Sequence, residues 1–97
     1  MRVLYRAEAA ADLAQASSWY ETQRAGLGDE FRAAVQASIT VVERLPGAFP
    51  IAQADVRRAL VHRFPYALYY RRLDENGLEI LACLHNRRSP RVWRRRA

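Results

Sequence analysis

Arg63-Phe64-Pro65-Tyr66-Ala67-Leu68-Tyr69-Tyr70, followed by His85-Asn86-Arg87-Arg88-Ser89-Pro90-Arg91-Val92-Trp93-Arg94, decides the fold of this 97-residue chain. The first stretch is an aromatic segment flanked by arginine, and aromatic residues favour a pleated, half-buried strand. Pro65 has no N–H to give to a ladder, so it marks a break or an edge. Ala67 to Leu73 then reads as a strand. Asp74-Glu75-Asn76-Gly77 turns the chain, and Asn-Gly is a strong hairpin signal. Leu78 to Leu84 pairs back. Strict alternation puts Leu78, Ile80, Ala82 and Leu84 on one side and Leu81 and Cys83 on the other. A strand apolar on both sides belongs inside a sheet, so this one is expected to be central. Pro90 interrupts the chain, and Arg91 to Arg96 reads as a short final strand or a frayed arm.

Upstream, Val56 to Phe64 alternates as a further strand, with Val56, Arg58, Leu60, His62 and Phe64 on one face and Arg57, Ala59, Val61 and Arg63 on the other. Segment 46–55, with Pro46, Gly47 and Pro50, is expected to be a loop. Before it lie two helical patterns. Ala9, Leu13, Ala16 and Tyr20 recur at helical spacing in an alanine-rich stretch of high helix propensity. Gly26-Leu27-Gly28 breaks it, and Asp29 is a candidate cap for the next helix. Phe31, Ala34, Val35, Ser38, Val42 and Leu45 line one face of that helix until Pro46-Gly47 stops it. A turn this short makes an antiparallel helical hairpin. Arg2 to Arg6 is a short opening strand. The fold class is therefore α+β, in the order β-α-α-β-β-β. An N-terminal helical hairpin packs on a twisted, mostly antiparallel sheet whose other face carries the arginines.

Residues 1–97 fit one domain, with room for a single modest core. Every basic residue is arginine, which excludes a mechanism that needs a catalytic lysine. Charge is uneven along the chain. Residues 1–55 hold five Arg against seven acids, and residues 56–97 hold eleven Arg against three, making up the overall +6. A C-terminal half so basic points to a polyanionic or acidic protein partner, or else to a solvated basic face. Cys83 is the only cysteine and cannot form an intramolecular disulfide, which suits a reducing cytoplasm. No apolar run is long enough for a signal peptide or a membrane span, so the expectation is a cytoplasmic protein without membrane association.

His85 is the one candidate acid/base, because histidine is suited to proton transfer near neutral pH. In a phosphodiester-cleaving site, Arg88 or Arg63 would stabilise phosphate charge beside it. The alternative is a histidine hydrogen-bonded at a strand end, holding the arm in place. His62 has no nearby acid. Two histidines and one cysteine without ligand spacing make no zinc site, so neither metal nor cofactor is expected. Tyr66, Tyr69 and Tyr70 are either stacking platforms for bases or core residues.

Several motifs, taken in order, resemble one family. Trp19-Tyr20-Glu21-Thr22-Gln23 ends the first helix, and Gly26-Leu27-Gly28-x-Glu30-Phe31 opens the second. Pro46-x-x-Phe49-Pro50 and Arg58-x-Leu60-x-x-x-Phe64-Pro65-Tyr66-x-Leu68-x-Tyr70 follow, and His85-x-x-Arg88-x-Pro90-x-x-Trp93 closes the set. From Val3 to Arg95 the chain resembles the RelE/ParE family of type II toxins. The resemblance implies a toxin neutralised by a cognate antitoxin in a hetero-oligomer. ParE-like members poison DNA gyrase, whereas RelE-like members cut mRNA in the ribosomal A site. The ribonuclease branch often carries Gly-Tyr-Arg-φ-φ-Tyr (φ apolar) where this chain has Pro65-Tyr66-Ala67-Leu68-Tyr69-Tyr70. Ala67 stands in the arginine position, and the upstream lysines and C-terminal tyrosine common in that branch are missing.

The resemblance therefore implies a gyrase inhibitor without a catalytic residue. Alternatives are a ribosome-dependent endonuclease using His85, Arg88 and Arg63, and a non-toxic member that only binds its antitoxin. On the ParE-like reading, Arg87, Arg88, Arg91, Trp93 and Arg94 face the target, while Arg57, Arg58, Arg63, Arg71 and Tyr69 face the antitoxin. The C-terminal arm is expected to serve the target and not the fold, so that losing Arg94 to Ala97 leaves the melting transition nearly unchanged.

Overall fold

The computed structural model describes residues 1–97. The chain runs β1 (Arg2–Tyr5), α1 (Ala7–Gln23), α2 (Leu27–Arg44), β2 (Ile51–Gln53), β3 (Val56–Leu60), β4 (Tyr66–Asp74), β5 (Gly77–His85) and α3 (Arg91–Arg94). The sheet order is β1-β5-β4-β3-β2. Only β1 runs parallel to its neighbour; the other three pairings are antiparallel. The α+β class, the helical hairpin and the mostly antiparallel sheet are as expected, with two additions. Residues 51–53 form an edge strand within the expected loop, and residues 91–94 are a helical turn instead of a strand.

The helical hairpin closes at a point where only glycine fits. Gly26 has φ of 89°, the left-handed region that costs a Cβ-bearing residue steric strain. A Cβ on Gly28 would lie 2.7 Å from the Ser17 carbonyl oxygen, so the two helices touch there backbone to backbone. The helix begins at Leu27, so Asp29 sits in its first turn and does not cap it. The cap comes from α1 instead. The Glu21 carboxylate accepts the Gly26 and Gly28 N–H groups, both at 3.0 Å. These two bonds, Gly26 first, hold the Glu21 carboxyl below its ordinary range.

One face of α1, with Ala9, Leu13, Ala16 and Tyr20, and one face of α2, with Phe31, Val35, Ile39 and Val42, bury against the sheet. Ile39 takes the place expected of Leu45, which is exposed beyond the end of α2. Tyr20, Phe31, Phe64 and Tyr66 form an aromatic knot, with ring centroids 4.9–6.0 Å apart. Phe64 reaches it because β3 ends at Leu60. Residues after it turn tightly, with Arg63 at φ 77°, and swing Phe64 to the helix side of the sheet. The alternation expected through Phe64 fails at that turn. Tyr70 is fully buried, and its hydroxyl donates to the Pro46 carbonyl at 2.7 Å, fixing the connection from α2 to the sheet.

The faces of β5 also differ from strict alternation. Tyr69 pairs with Ala82 and Tyr70 with Ile80, which leaves Leu81 as an extra residue in a bulge. The bulge reverses the parity of everything after it. Leu78, Ile80 and Cys83 face the helices, whereas Leu81, Ala82 and Leu84 face the other way. That second face is not simply an arginine surface. Val56, Ala67, Tyr69, Leu81, Ala82 and Leu84 form a smaller core there, and Trp93 of α3 closes it. No helix is long and apolar enough to cross a membrane.

Phe31 is fully buried at the centre of the aromatic knot. Phe31→Ala should lower stability by about 3–5 kcal/mol through lost contacts and the cavity left behind. The check is urea unfolding, where the midpoint should fall with the slope unchanged.

Candidate functional site

The second face of the sheet and the open edge of β5 carry some of the charged groups that the sequence singles out, Arg58, Arg88 and Arg94 among them. β1 pairs with β5 only as far as Tyr5 opposite Ile80, and Arg6 N–H closes the ladder on the Ile80 carbonyl at 3.1 Å. Beyond it the β5 edge has no strand beside it, and buried backbone groups need partners. Side chains supply them. Asp12 of α1 accepts the Cys83 N–H at 3.1 Å, and Arg96 donates to the Leu81 carbonyl at 3.1 Å. Arg96 and Asp12 also join in a two-pronged ion pair of 2.6 and 3.2 Å, with side chains only 14% and 11% exposed. The last turn of the chain is thus laced around the sheet edge to a helix on the opposite face.

Trp93 anchors the same turn. It is 3% exposed, and its ring stacks on Tyr69 at 4.8 Å and 17°. The arm is therefore part of the fold, contrary to the expectation that Arg94 to Ala97 are dispensable for stability. Trp93, expected on the target-facing surface, is a packing residue here. Tyr69, expected to meet the antitoxin, lies beneath it.

Above this aromatic pair sits a cleft of about 350 Å³, bordered by Arg58, Arg88, Arg94 and Asn86 with Tyr69 and Trp93 as its floor. Arg58 donates from Nε to the Tyr69 hydroxyl at 3.2 Å and from Nη2 to the Asn86 side-chain oxygen at 3.0 Å. Its guanidinium lies 6.0 Å from the Tyr69 ring centre, and that of Arg94 lies 5.6 Å from Trp93. Arg87, Arg88, Arg91 and Arg94 are all exposed around this region, and none is in an ion pair.

The other expected arginines disperse. Arg57 donates to the Phe49 carbonyl at 2.6 Å, at the helix side of β3. Arg63 pairs with Glu30 at 3.3 Å, and Arg24 shares that carboxylate at 3.2 Å. Arg71 pairs across strands with Glu79 at 3.0 Å. Arg57 and Arg71 border one cleft beside Asp55, but Arg58 and Arg63 lie elsewhere, so the four do not converge on one surface.

His85 is half-buried at the end of β5, against Tyr66 at 5.4 Å. Its Nδ1 accepts the Arg87 N–H at 3.0 Å, and its carbonyl accepts the Arg88 N–H at 2.9 Å. Both bonds hold the turn that launches the arm. His85 and Arg88 border a cleft of about 250 Å³ with Asp12 and Trp19, while Arg63 is engaged elsewhere. Asp12, the one acid of that cleft, is committed to Arg96 and Cys83. Trp19, 56% exposed, continues this surface into an aromatic groove of about 440 Å³ with Tyr20, Pro65 and Tyr66. Three residues escaped the sequence reading as site members. Asn86 and Asp12 act through long-range bonds that no local pattern signals, and Trp19 stands just off the apolar stripe of α1.

A fold of this kind, a helical hairpin on a mixed sheet, also occurs in a solved structure, the chromosomal ParDE toxin–antitoxin system from P. aeruginosa. The TM-score is 0.63 at 22% identity, covering 88% of this chain and 95% of that one. A sequence model of the ParE toxin of the type II toxin–antitoxin system parDE matches residues 3–90, so the chain belongs to that toxin family. No curated protein matches the chain.

Two tests follow from the edge. Arg96→Ala should cost about 2–4 kcal/mol, because Asp12 loses its counter-charge and the Leu81 carbonyl its donor. Urea titration of the variant reads this, and a stability unchanged from the parent chain would show the clip to be idle. Burial first, and then the nearby Asp12 charge, push the Cys83 thiol up to about 12. The folded chain thus holds this proton more tightly than the unfolded one. The resulting stability is complete below the unfolded thiol's ordinary range, near 9, and is lost as pH rises toward 12. Iodoacetamide at mildly alkaline pH should leave Cys83 unmodified in the native protein and alkylate it in urea, as read by mass spectrometry.

Proposed function

We propose that this ParE-family toxin acts by inhibiting DNA gyrase as a binding protein, and not by cutting RNA. The supporting observation is Ala67. It is fully buried in the second core, alongside Tyr69, Leu81 and Trp93. The related ribonuclease branch often has an arginine at this strand position, where it would stabilise phosphate charge. Here the position is apolar and closed over by α3. His85 is engaged in shaping the turn, and its only side-chain hydrogen bond is to the Arg87 backbone. The exposed cations Arg87, Arg88, Arg91 and Arg94 supply the target-facing charge.

The partner is a cognate antitoxin. The aromatic groove at Trp19 and Tyr66, and the hollow of about 290 Å³ at Phe49, Pro50, Leu60 and Arg58, offer it contact area. The unpaired edges of β1 and β2 offer backbone groups to an added strand. Expression of the toxin alone should be poorly tolerated, and co-expression with its antitoxin should restore growth. Harmless overexpression on its own would mark a member that has lost toxicity.

The deciding experiment is a purified gyrase assay beside programmed ribosomes. The expected result is loss of supercoiling, accumulation of cleaved DNA and intact mRNA. His85→Gln should change this only through local structure. In a ribonuclease that relied on His85 for proton transfer, the same change should remove about 10²–10⁴-fold of activity. Codon-specific mRNA cleavage that disappears in His85→Gln, with gyrase unaffected, overturns the gyrase reading.

A further inference from the structure

We infer that the cleft between β3, the 86–88 turn and α3 is a binding site for the phosphodiester backbone of a nucleic acid, gripped by Arg58, Arg88 and Arg94. Three guanidinium groups from three separate segments border one cleft, and no carboxylate lines it. Arg2, Arg6, Arg24, Arg63, Arg71 and Arg96 pair with acids elsewhere in the molecule, whereas none of these three does. Like charges brought together without counter-charge repel, and an anion relieves that repulsion.

Two of the three cations are also held in place. Arg58 is fixed by the Tyr69 hydroxyl and Asn86, and lies over one ring of the stacked pair. Arg94 lies over the other ring, Trp93. Part of the side-chain entropy that binding would otherwise cost is therefore already lost in the free protein. Arginine forks held this way suit the paired oxygens of a phosphate.

An acidic protein segment would offer similar charge, but the cleft does not suit one. Its aromatic floor, Tyr69 and Trp93, is buried and presents little ring surface to anchor a peptide side chain. The large exposed apolar side chains lie outside the cleft, at Trp19 and at Leu60, the latter in a hollow that Arg58 also borders. Nucleic-acid backbone needs only repeated charge, and Arg87, Arg91 and Arg95 extend the basic surface beyond the cleft. This inference rests on the target-face reading for its place on the molecule. The test below contains no gyrase, so either reading can fail alone.

The test is fluorescence anisotropy of the purified full chain with a short labelled DNA duplex, and with a single-stranded RNA of equal length, over a salt series. Binding should weaken with salt. The double variant Arg58→Gln/Arg94→Gln should bind at least about tenfold more weakly, with a salt slope shallower by about two. Arg72→Gln, at the far hairpin, should leave both unchanged. If the double variant fails to show a native melting transition, Arg88→Gln decides. Its exposed side chain makes no hydrogen bond, and its loss should make the slope shallower by about one. Tighter binding of the duplex assigns the cleft to DNA, and tighter binding of the single strand assigns it to RNA; either supports the inference. Slopes that do not move in the arginine variants overturn it. So does poly-glutamate binding more tightly than both nucleic acids and lost in the same variants, which would assign the cleft to an acidic protein.

Discussion

β5 is buried on both faces, yet its partner on one edge is too short to cover it. That mismatch governs much of the rest of the structure. A strand this apolar must be inside, and its backbone groups cannot be left without hydrogen bonds there. β1 ends at Tyr5, and the remaining edge is completed by Asp12 from a helix and Arg96 from the chain's end. The two meet in a charge pair that neither face of the sheet holds alone. The helical hairpin, the central strand and the C-terminal turn are fastened at one point, although they lie at opposite ends of the sequence.

The same arrangement explains why a basic segment can be ordered. A run of arginines has little to bury, but this one contributes Trp93 to the second core and Arg96 to the edge. With those two residues fixed, Arg91 and Arg94 are presented on the surface in a defined place. The residues that hold the arm and those available to a partner thus alternate along a few positions. The bulge at Leu81 is needed for this. By turning Leu81, Ala82 and Leu84 away from the helices, it creates the apolar patch on which Trp93 rests.

Much of the fold was legible in the sequence because the signals are local. The helix stripes, the Gly26-to-Gly28 break and the Asn76-Gly77 turn each depend on neighbouring residues, and each lies where the pattern puts it. The departures share a different cause. The bulge, the turn at Arg63 and the helical form of residues 91–94 arise where tertiary packing overrides a period of two. Bulges carry no local signature in residues such as Ile80-Leu81-Ala82, which are equally apolar on either face.

By itself the sequence determined the class of the protein: an α+β domain with a helical hairpin, a basic C-terminal half, and an alanine where a related branch has arginine. Those features are matters of residue type and spacing. Only the tertiary structure decided which arginines stand together. Arg57 and Arg58 are neighbours in the chain, but the pleat sends them to opposite faces; Arg58, Arg88 and Arg94 are distant in the chain and share a cleft. It also decided that Arg96 is an internal clip while Arg94, two residues before it, is exposed. A row of identical charges gives no hint of such a division, because the burial of each is set by what lies across the sheet edge.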